Sequence, residues 1–281
     1  MDTELWFTER QTSNLALSLK VNRTLYRQQS AYQEIAVLDT LEYGRTITLD
    51  GMVQATVFDE FVYHEMIVHV PMRTHPRPKN VLVIGGGDGG TVREICKYPG
   101  VEKVTLVEID GEVIKAAQAF FPELSISLED SRLEIKIEDG ISYINSLNQC
   151  YDIIIIDSTE PMGAAAGLFD TPFYKAVYTA LKEDGIMVAQ TESPFVNKDL
   201  IRQVFNKLDN FFPLCQLYLA SIPSYPSGLW SFTMGSKQYH PLEPEGSYIP
   251  GNLKYYTPEV HLSSFVLPPF VQELLKSEGT G

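Results

Sequence analysis

The sequence predicts an α/β protein, a doubly wound and largely parallel sheet preceded by a small N-terminal antiparallel β domain. Three observations carry this. From residue 80 onward, short apolar runs alternate with helical patterns, as buried parallel strands joined by crossover helices do. Before residue 65 the pattern is instead apolar–polar alternation broken by turn signals, which suits antiparallel strands with one wet face. The first apolar run after the change, Val81-Leu-Val-Ile84, opens directly into Gly85-Gly-Gly-Asp-Gly-Gly90, a strand-to-helix glycine loop.

In chain order, alternating stretches begin at Leu15, Ile35 and Arg45, with turns at Tyr43-Gly44 and Asp50-Gly51. A helix is expected from Asp59 to Val70, ended by the proline-rich segment Pro71 to Pro78. Strands are expected at 80–84, 103–109, 133–138, 151–157, 185–191, 214–221 and 229–236. Helices are expected at about 91–98, 111–121, 140–147, 171–181 and 197–209. The last two strands lack an intervening helix, so they form an antiparallel pair closing the sheet edge. The tail, 250–275, reads as irregular plus a short helix. The expected domains are residues 1–65 and 66–281.

A length of 281 residues, 44% of them hydrophobic and 21% charged, is an ordinary globular composition. The net charge of -14 opposes a nucleic-acid backbone as partner and is compatible with cationic substrates. The three cysteines, Cys96, Cys150 and Cys215, show neither a C-x-x-C pair nor metal-ligand clustering, and the five histidines have no zinc spacing. The beginning of the chain shows no basic-then-apolar signal, and no apolar run approaches membrane-spanning length, so a cytoplasmic protein with no membrane association is expected.

The glycines at 85, 87 and 90 satisfy G-x-G-x-x-G, a weak signal alone. Asp88 sharpens it, because a loop cradling pyrophosphate has no place for a carboxylate, whereas a cationic nucleoside such as a sulfonium welcomes one. Ligands of open α/β sheets sit beyond the carboxyl ends of the strands. Four consecutive strands deliver acids there: Asp88, Glu108 with Asp110, Glu138 with Asp139, and Asp157 with Glu160. A single such acid reads equally well as a helix cap; four in register weaken that reading. Glu108 is placed to accept from two ribose hydroxyls, with Asp110 the better helix cap. Asp139 with Gly140 suits an adenine amino group, with capping as the competing reading. Asp157 and Glu160 suit binding a primary ammonium and accepting its proton, and the small-residue loop after Pro161 suits a lid. Tyr63 and His64 fall near the domain junction and Tyr225 on a proline-flanked turn; such tyrosines orient amines or simply pack. Trp6 and Trp230 read either as aromatic walls for an alkyl-ammonium chain or as core.

Over almost its whole length the chain resembles the spermidine synthases, the polyamine aminopropyltransferase family. The matching stretches are Leu49-Asp-Gly-Met, Asp59-Glu-Phe-Val-Tyr-His-Glu-Met, His75-Pro76, Val83-Ile-Gly-Gly-Gly-Asp-Gly-Gly and Glu108-Ile-Asp. They continue through Glu138-Asp-Gly, Asp157-Ser-Thr-Glu-Pro, Ala180-Leu-Lys-Glu-Asp-Gly, Ile222-Pro-Ser-Tyr-Pro-Ser-Gly and Lys254-Tyr-Tyr. The resemblance implies a Rossmann-like, methyltransferase-type domain behind the N-terminal β domain. It implies transfer of the aminopropyl group of decarboxylated S-adenosylmethionine to putrescine, giving spermidine and 5'-methylthioadenosine, with no further cofactor or metal. It assigns proton acceptance to Asp157 and the donor to Gln33, Asp88, Glu108, Asp139 and Gly140. It assigns the acceptor amine to Trp6, Tyr63, His64, Glu160, Gln190 and Tyr225, and implies a homodimer or homotetramer. The family's usual Gly-Pro-Ala loop is here Gly163-Ala164-Ala165, and Glu160 stands where many relatives carry Asp. Agmatine, cadaverine or spermidine as acceptor, and a small-molecule methyltransferase on the same fold, remain the alternatives.

Overall fold

The computed structural model describes residues 4–159 and 167–276. Five strands, β1 (Leu5–Arg10), β2 (Ala16–Gln29), β3 (Glu34–Thr40), β4 (Gly44–Leu49) and β5 (Met52–Thr56), pair in chain order as an antiparallel sheet. Asp50 and Gly51 link β4 to β5 with φ of 50° and 77°, the two left-handed residues that a two-residue hairpin with the right twist requires. β1 and β5 lie outside the expected strands, since neither shows more than a few residues of alternation.

Helix α1 (Glu60–Thr74) follows, and the domain boundary expected at residue 65 falls inside it. Pro71, expected to end the helix, lies one turn before its end. The turn survives because Thr74 Oγ1 donates to the Val70 carbonyl at 2.8 Å, His75 N–H caps the Pro71 carbonyl, and Met72 and Thr74 are fully packed.

The second sheet contains β6 (Asn80–Gly85), β7 (Lys103–Glu108), β8 (Leu133–Ile137), β9 (Tyr151–Asp157), β10 (Leu181–Gln190), β11 (Leu214–Ser221) and β12 (Leu229–Ser236). Its order is β11-β12-β10-β9-β6-β7-β8. β12 runs antiparallel between β10 and β11, while β6 to β10 are mutually parallel. The terminal pair is therefore antiparallel as expected, but only β11 is the edge; β12 is inserted beside β10. The crossovers are α2 (Gly90–Cys96), α3 (Gly111–Phe120) with the short α4 (Pro122–Ser125), α5 (Gly140–Ile144), α6 (Thr171–Ala180) and α7 (Lys198–Asp209). Two short helices, α8 (Pro258–Ser264) and α9 (Pro269–Leu274), lie in the tail where one was expected.

Alternation splits the core into two layers. Val81, Val83, Ile153 and Ile155 face α1 and α2, whereas Leu82, Ile84, Ile154 and Ile156 face the layer of α6 and α7. A third cluster joins Ile35, Val37, Ile47 and Leu49 of the small sheet to Val113, Ala116 and Phe121 at α3, fixing the two sheets to each other. Strand order reverses between β6 and β9, where Gly85 pairs with Asp157. A crevice at that switch point is where a doubly wound sheet binds its ligand. Among the described residues, no helix is long and apolar enough to cross a membrane.

Candidate active site

A cavity of about 920 Å³ opens at this crevice, bounded by the carboxyl ends of β6, β7, β9 and β10 and, from the other side, by β1 and the β4–β5 hairpin. Among the described residues its wall holds seven carboxylates (Glu9, Asp50, Asp88, Glu108, Asp139, Asp157 and Glu192) against a single basic side chain, Arg10. Such a wall favours a cationic ligand.

The glycine loop brings the acids together. Gly85, Gly86 and Gly89 have positive φ, and a Cβ on Gly85 would overlap the Asp157 carbonyl. A Cβ on Gly86 would sit 2.8 Å from Asp157 Oδ2, and one on Gly87 2.8 Å from Glu108 Oε2. The loop thus lets carboxylates from the neighbouring strands lie directly against its backbone.

Asp157 ends β9. The Tyr63 hydroxyl donates to its Oδ1 and the Thr91 hydroxyl to its Oδ2, both at 2.6 Å. Burial raises its pKa and the negative charge of Asp88 adds to that, while the charge of His64 and then these two donors pull the other way. Burial pushes the Tyr63 hydroxyl well above its usual range, so it is a donor at neutral pH. Asp88 accepts the Gly90 N–H at 2.8 Å. Burial works to raise its pKa, but the adjacent His64 holds it below the ordinary carboxylate value. Glu108, 8% exposed, accepts the Asp110 N–H at 2.9 Å, and burial pushes it up to about 7.

Asp110, not Glu108, caps α3, through a bond from Glu112 N–H; it also accepts from Gln33 Nε2 at 3.1 Å, which places Gln33 at the cavity wall. Asp139 caps α5, accepting the Ile141 N–H at 2.9 Å, and also lines the cavity. Gly140 is required there because a Cβ would overlap Ile84. Gln190 donates to the Ser158 carbonyl at 2.9 Å. Tyr225 donates to the Gln54 carbonyl at 2.5 Å and meets Trp230 edge-on at 4.6 Å. Trp230 is buried in the wall, and its indole N–H has no hydrogen-bond partner among the described residues.

Two residues assigned to the acceptor stand elsewhere. Trp6, on β1, is 52% exposed, donates to Glu4 and does not line the cavity. Its side chain points to the face of β1 opposite that of Glu9, which follows from the two-residue period of a strand. His64 is buried behind Asp88, with Nδ1 2.6 Å from Glu60 Oε2 and Nε2 3.5 Å from Asp88 Oδ2. Burial disfavours its charged form, but the two carboxylates override this and raise it to about 10. Glu160 and the loop alanine Ala164 lie outside the described residues.

Residues that sequence reasoning missed also reach the site. Glu9, 4% exposed, accepts the Val53 N–H at 2.9 Å. Glu192, 2% exposed with φ of 70°, receives a bond from Gln190 Nε2 at 3.4 Å and lines the cavity. Its spacing of two from Gln190 at the end of a strand was a readable signal; Glu9, on an unrecognised strand, offered none. Thr91, on α2, also reaches the site through its bond to Asp157, a contact between residues distant in the chain that no local pattern signals.

At the amino ends of the strands, His75, Asp152 and Asp184 place ligand atoms within 4.8 Å of one another. Within this cluster the ion pair is that of Lys182 with Asp152. His75 Nδ1 accepts the Arg77 N–H at 3.2 Å, leaving the ring proton on Nε2, and Lys182 Nζ lies 2.9 Å from both Asp152 oxygens.

Residues 60–243 match the family model described as the spermine/spermidine synthase domain, and residues 5–56 match that of the spermidine synthase tetramerisation domain. The polyamine aminopropyltransferase of Caldicellulosiruptor bescii is 54% identical over 276 residues, covering 98% of this chain and 99% of that protein. That of Moorella thermoacetica is 53% identical over 274 residues, covering 97% of each. A crystal structure of a spermidine synthase in complex with the transition state analogue AdoDATO superposes with a TM-score of 0.93 at 43% identity, covering 96% of this chain and 94% of that one. The spermidine synthase of Thermotoga maritima gives 0.91 at 42%, with the same coverage. Sequence and fold agree along nearly the entire chain, and the chain belongs to the spermine/spermidine synthase family.

Proposed function

We propose that this aminopropyltransferase uses decarboxylated S-adenosylmethionine as donor and putrescine as acceptor, yielding spermidine and 5'-methylthioadenosine. Aminopropyl transfer itself follows from family membership. The observation that carries the rest is the anionic cavity, with Asp88 and Asp157 side by side at the switch point and further acids on the opposite wall.

In this reading Glu108 accepts from the ribose hydroxyls, Gln33 borders the nucleoside, and Asp139 with the Gly140 backbone takes the adenine edge. Asp88 binds the donor's ammonium. The carboxylate of intact S-adenosylmethionine, about 4 Å from Asp88, would be repelled by roughly 4 kcal/mol at an effective dielectric near 20. Donor choice is therefore selection by repulsion as well as attraction.

Putrescine lies along Tyr63, Tyr225 and Trp230; the family resemblance gives its near end to Glu160 as well, which lies outside the described residues. Glu9 and Glu192 supply the anchor for the far ammonium, a role for which no residue was evident in the sequence. Its near nitrogen attacks the aminopropyl carbon bonded to sulfur. The C–S pair leaves on sulfur, giving a neutral thioether, and the nitrogen releases a proton to Asp157. A neutral leaving group requires neither acid nor metal assistance. The protein's task is alignment at roughly 3–3.5 Å and delivery of an unprotonated amine. Desolvation and the adjacent sulfonium lower the amine's pKa, while burial raises that of Asp157 towards it.

The match of residues 5–56 to a tetramerisation domain supports a homo-oligomer, with assembly through the small sheet. The testing experiment supplies decarboxylated donor with putrescine, agmatine, cadaverine or spermidine and measures methylthioadenosine and product. Highest kcat/KM with putrescine is expected. A higher value with another amine overturns the acceptor, and methyl transfer from intact S-adenosylmethionine without any aminopropyl product overturns the whole reading.

A further inference from the structure

His64 is 2% exposed, does not line the cavity, and sits between two carboxylates. Nδ1 is 2.6 Å from Glu60 Oε2 and Nε2 is 3.5 Å from Asp88 Oδ2. A neutral imidazole offers one donor and one acceptor nitrogen. With carboxylates at both, the neutral ring would set a lone pair against a buried anion, and only the imidazolium satisfies both contacts.

The surroundings hold this arrangement in place. Arg93 of α2 grips Glu60 from its far side, Nη1 to Oε1 at 3.0 Å and Nη2 to Oε2 at 2.8 Å, and its Nε donates to Glu94. Gly90 of the same helix packs on the ring, where a Cβ would overlap the ring atoms. Tyr63 meets the ring edge-on at 5.4 Å, and Asp157 beyond it is a further charge that interacts with His64. Asp88 Oδ1 accepts the Gly90 N–H at 2.8 Å, and its Oδ2 faces His64 Nε2 at 3.5 Å. Arg93, Glu60, His64 and Asp88 thus form a line of alternating charge leading from α2 to the cavity wall.

We propose that His64 is a buried imidazolium that keeps Asp88 ionised and aimed into the cavity, a positioning residue for the donor's ammonium instead of a ligand for the acceptor amine. Without it, Asp88 and Asp157 would be neighbouring carboxylates with no cation, and one would hold a proton. A protonated Asp88 neither attracts an ammonium nor repels a carboxylate. The proposal rests on the reading of Asp88 as the donor's partner.

The test is His64→Gln in the full-length protein, which keeps an N–H donor and removes the charge. We expect KM for decarboxylated S-adenosylmethionine to rise about tenfold, the size of a lost hydrogen bond to a charged group. Calorimetric preference for the decarboxylated over the intact donor should shrink by a similar factor, with KM for putrescine within twofold of the parent. Because His64 acts through Asp88, the double variant should be no worse than Asp88→Asn alone. Nitrogen-15 NMR of the unaltered protein at pH 8 provides a readout that needs no variant, and both ring nitrogens of His64 should carry protons. An unprotonated ring nitrogen, or a raised KM for putrescine with unchanged donor constants, overturns the proposal. Asp88→Asn with unchanged donor preference would instead remove the donor-site reading, and the proposal with it.

Discussion

Glu108 shows how one residue's setting converts into measurable behaviour. It is a strand-end carboxylate whose apolar surroundings push its pKa up to about 7, from an ordinary value of 4.5. Between those two pH values the folded protein keeps a proton that the unfolded chain releases. Stability therefore falls as pH rises across that window, by at most about 1.4 kcal/mol per pH unit. Glu108→Gln should flatten this decline, seen as a urea midpoint that drops less between pH 4.5 and pH 7 than in the parent. A slope that survives the substitution unchanged would mean that Glu108 is not the group responsible. That Glu108 would stand at the sheet edge was legible, because an apolar run ending in an acid is a local pattern. Its burial was not, because the walls that dry it include Val113 of α3 and strands of the small sheet.

At the scale of elements, the glycine loop and β9 are a matched pair. Gly85 has φ of 81° and lies so close to β9 that a Cβ would overlap the Asp157 carbonyl. Gly51 has a similar φ of 77°, with nothing within 4 Å of its Cβ position. Gly51→Ala should cost only the backbone strain, about 1 kcal/mol. Gly85→Ala should cost more, roughly 1–3 kcal/mol, and also lower kcat, because β9 must shift and carries Asp157 with it. Urea unfolding and steady-state kinetics of the two variants distinguish these effects; equal losses of stability with intact kcat in both would refute the close approach. All seven expected strands and five expected helices of the second sheet are present, since buried parallel strands write continuous apolar runs, but the short α4 was not expected and β10 starts at Leu181, four residues before its expected start. The limits were β1 and β5, whose pairing is decided by neighbours, and Pro71, whose helix persists because tertiary packing outweighs one lost hydrogen bond.

At the scale of the molecule, the active cavity belongs to neither sheet alone. The small sheet contributes Glu9, the Gln54 carbonyl held by Tyr225, and the Asp50-Gly51 hairpin. Asp59, just after it, accepts both the Ser224 N–H at 2.7 Å and the Ser224 hydroxyl at 3.0 Å, tying the Tyr225 turn to the junction. If Glu9 anchors the far ammonium, Glu9→Gln should raise KM for putrescine about tenfold and leave the donor constants within twofold. Circular dichroism should show the fold retained, and unchanged acceptor kinetics would rule this anchor out. The sequence by itself determined that acids crowd one edge of a doubly wound sheet beside a glycine loop hostile to phosphate, because strand periodicity and glycine spacing are local. Only the tertiary structure decided that Glu9 and Glu192 face that edge, that Trp6 faces solvent, and that His64 lies behind Asp88. Those outcomes depend on burial and on contacts between residues distant in the chain, which no local pattern records.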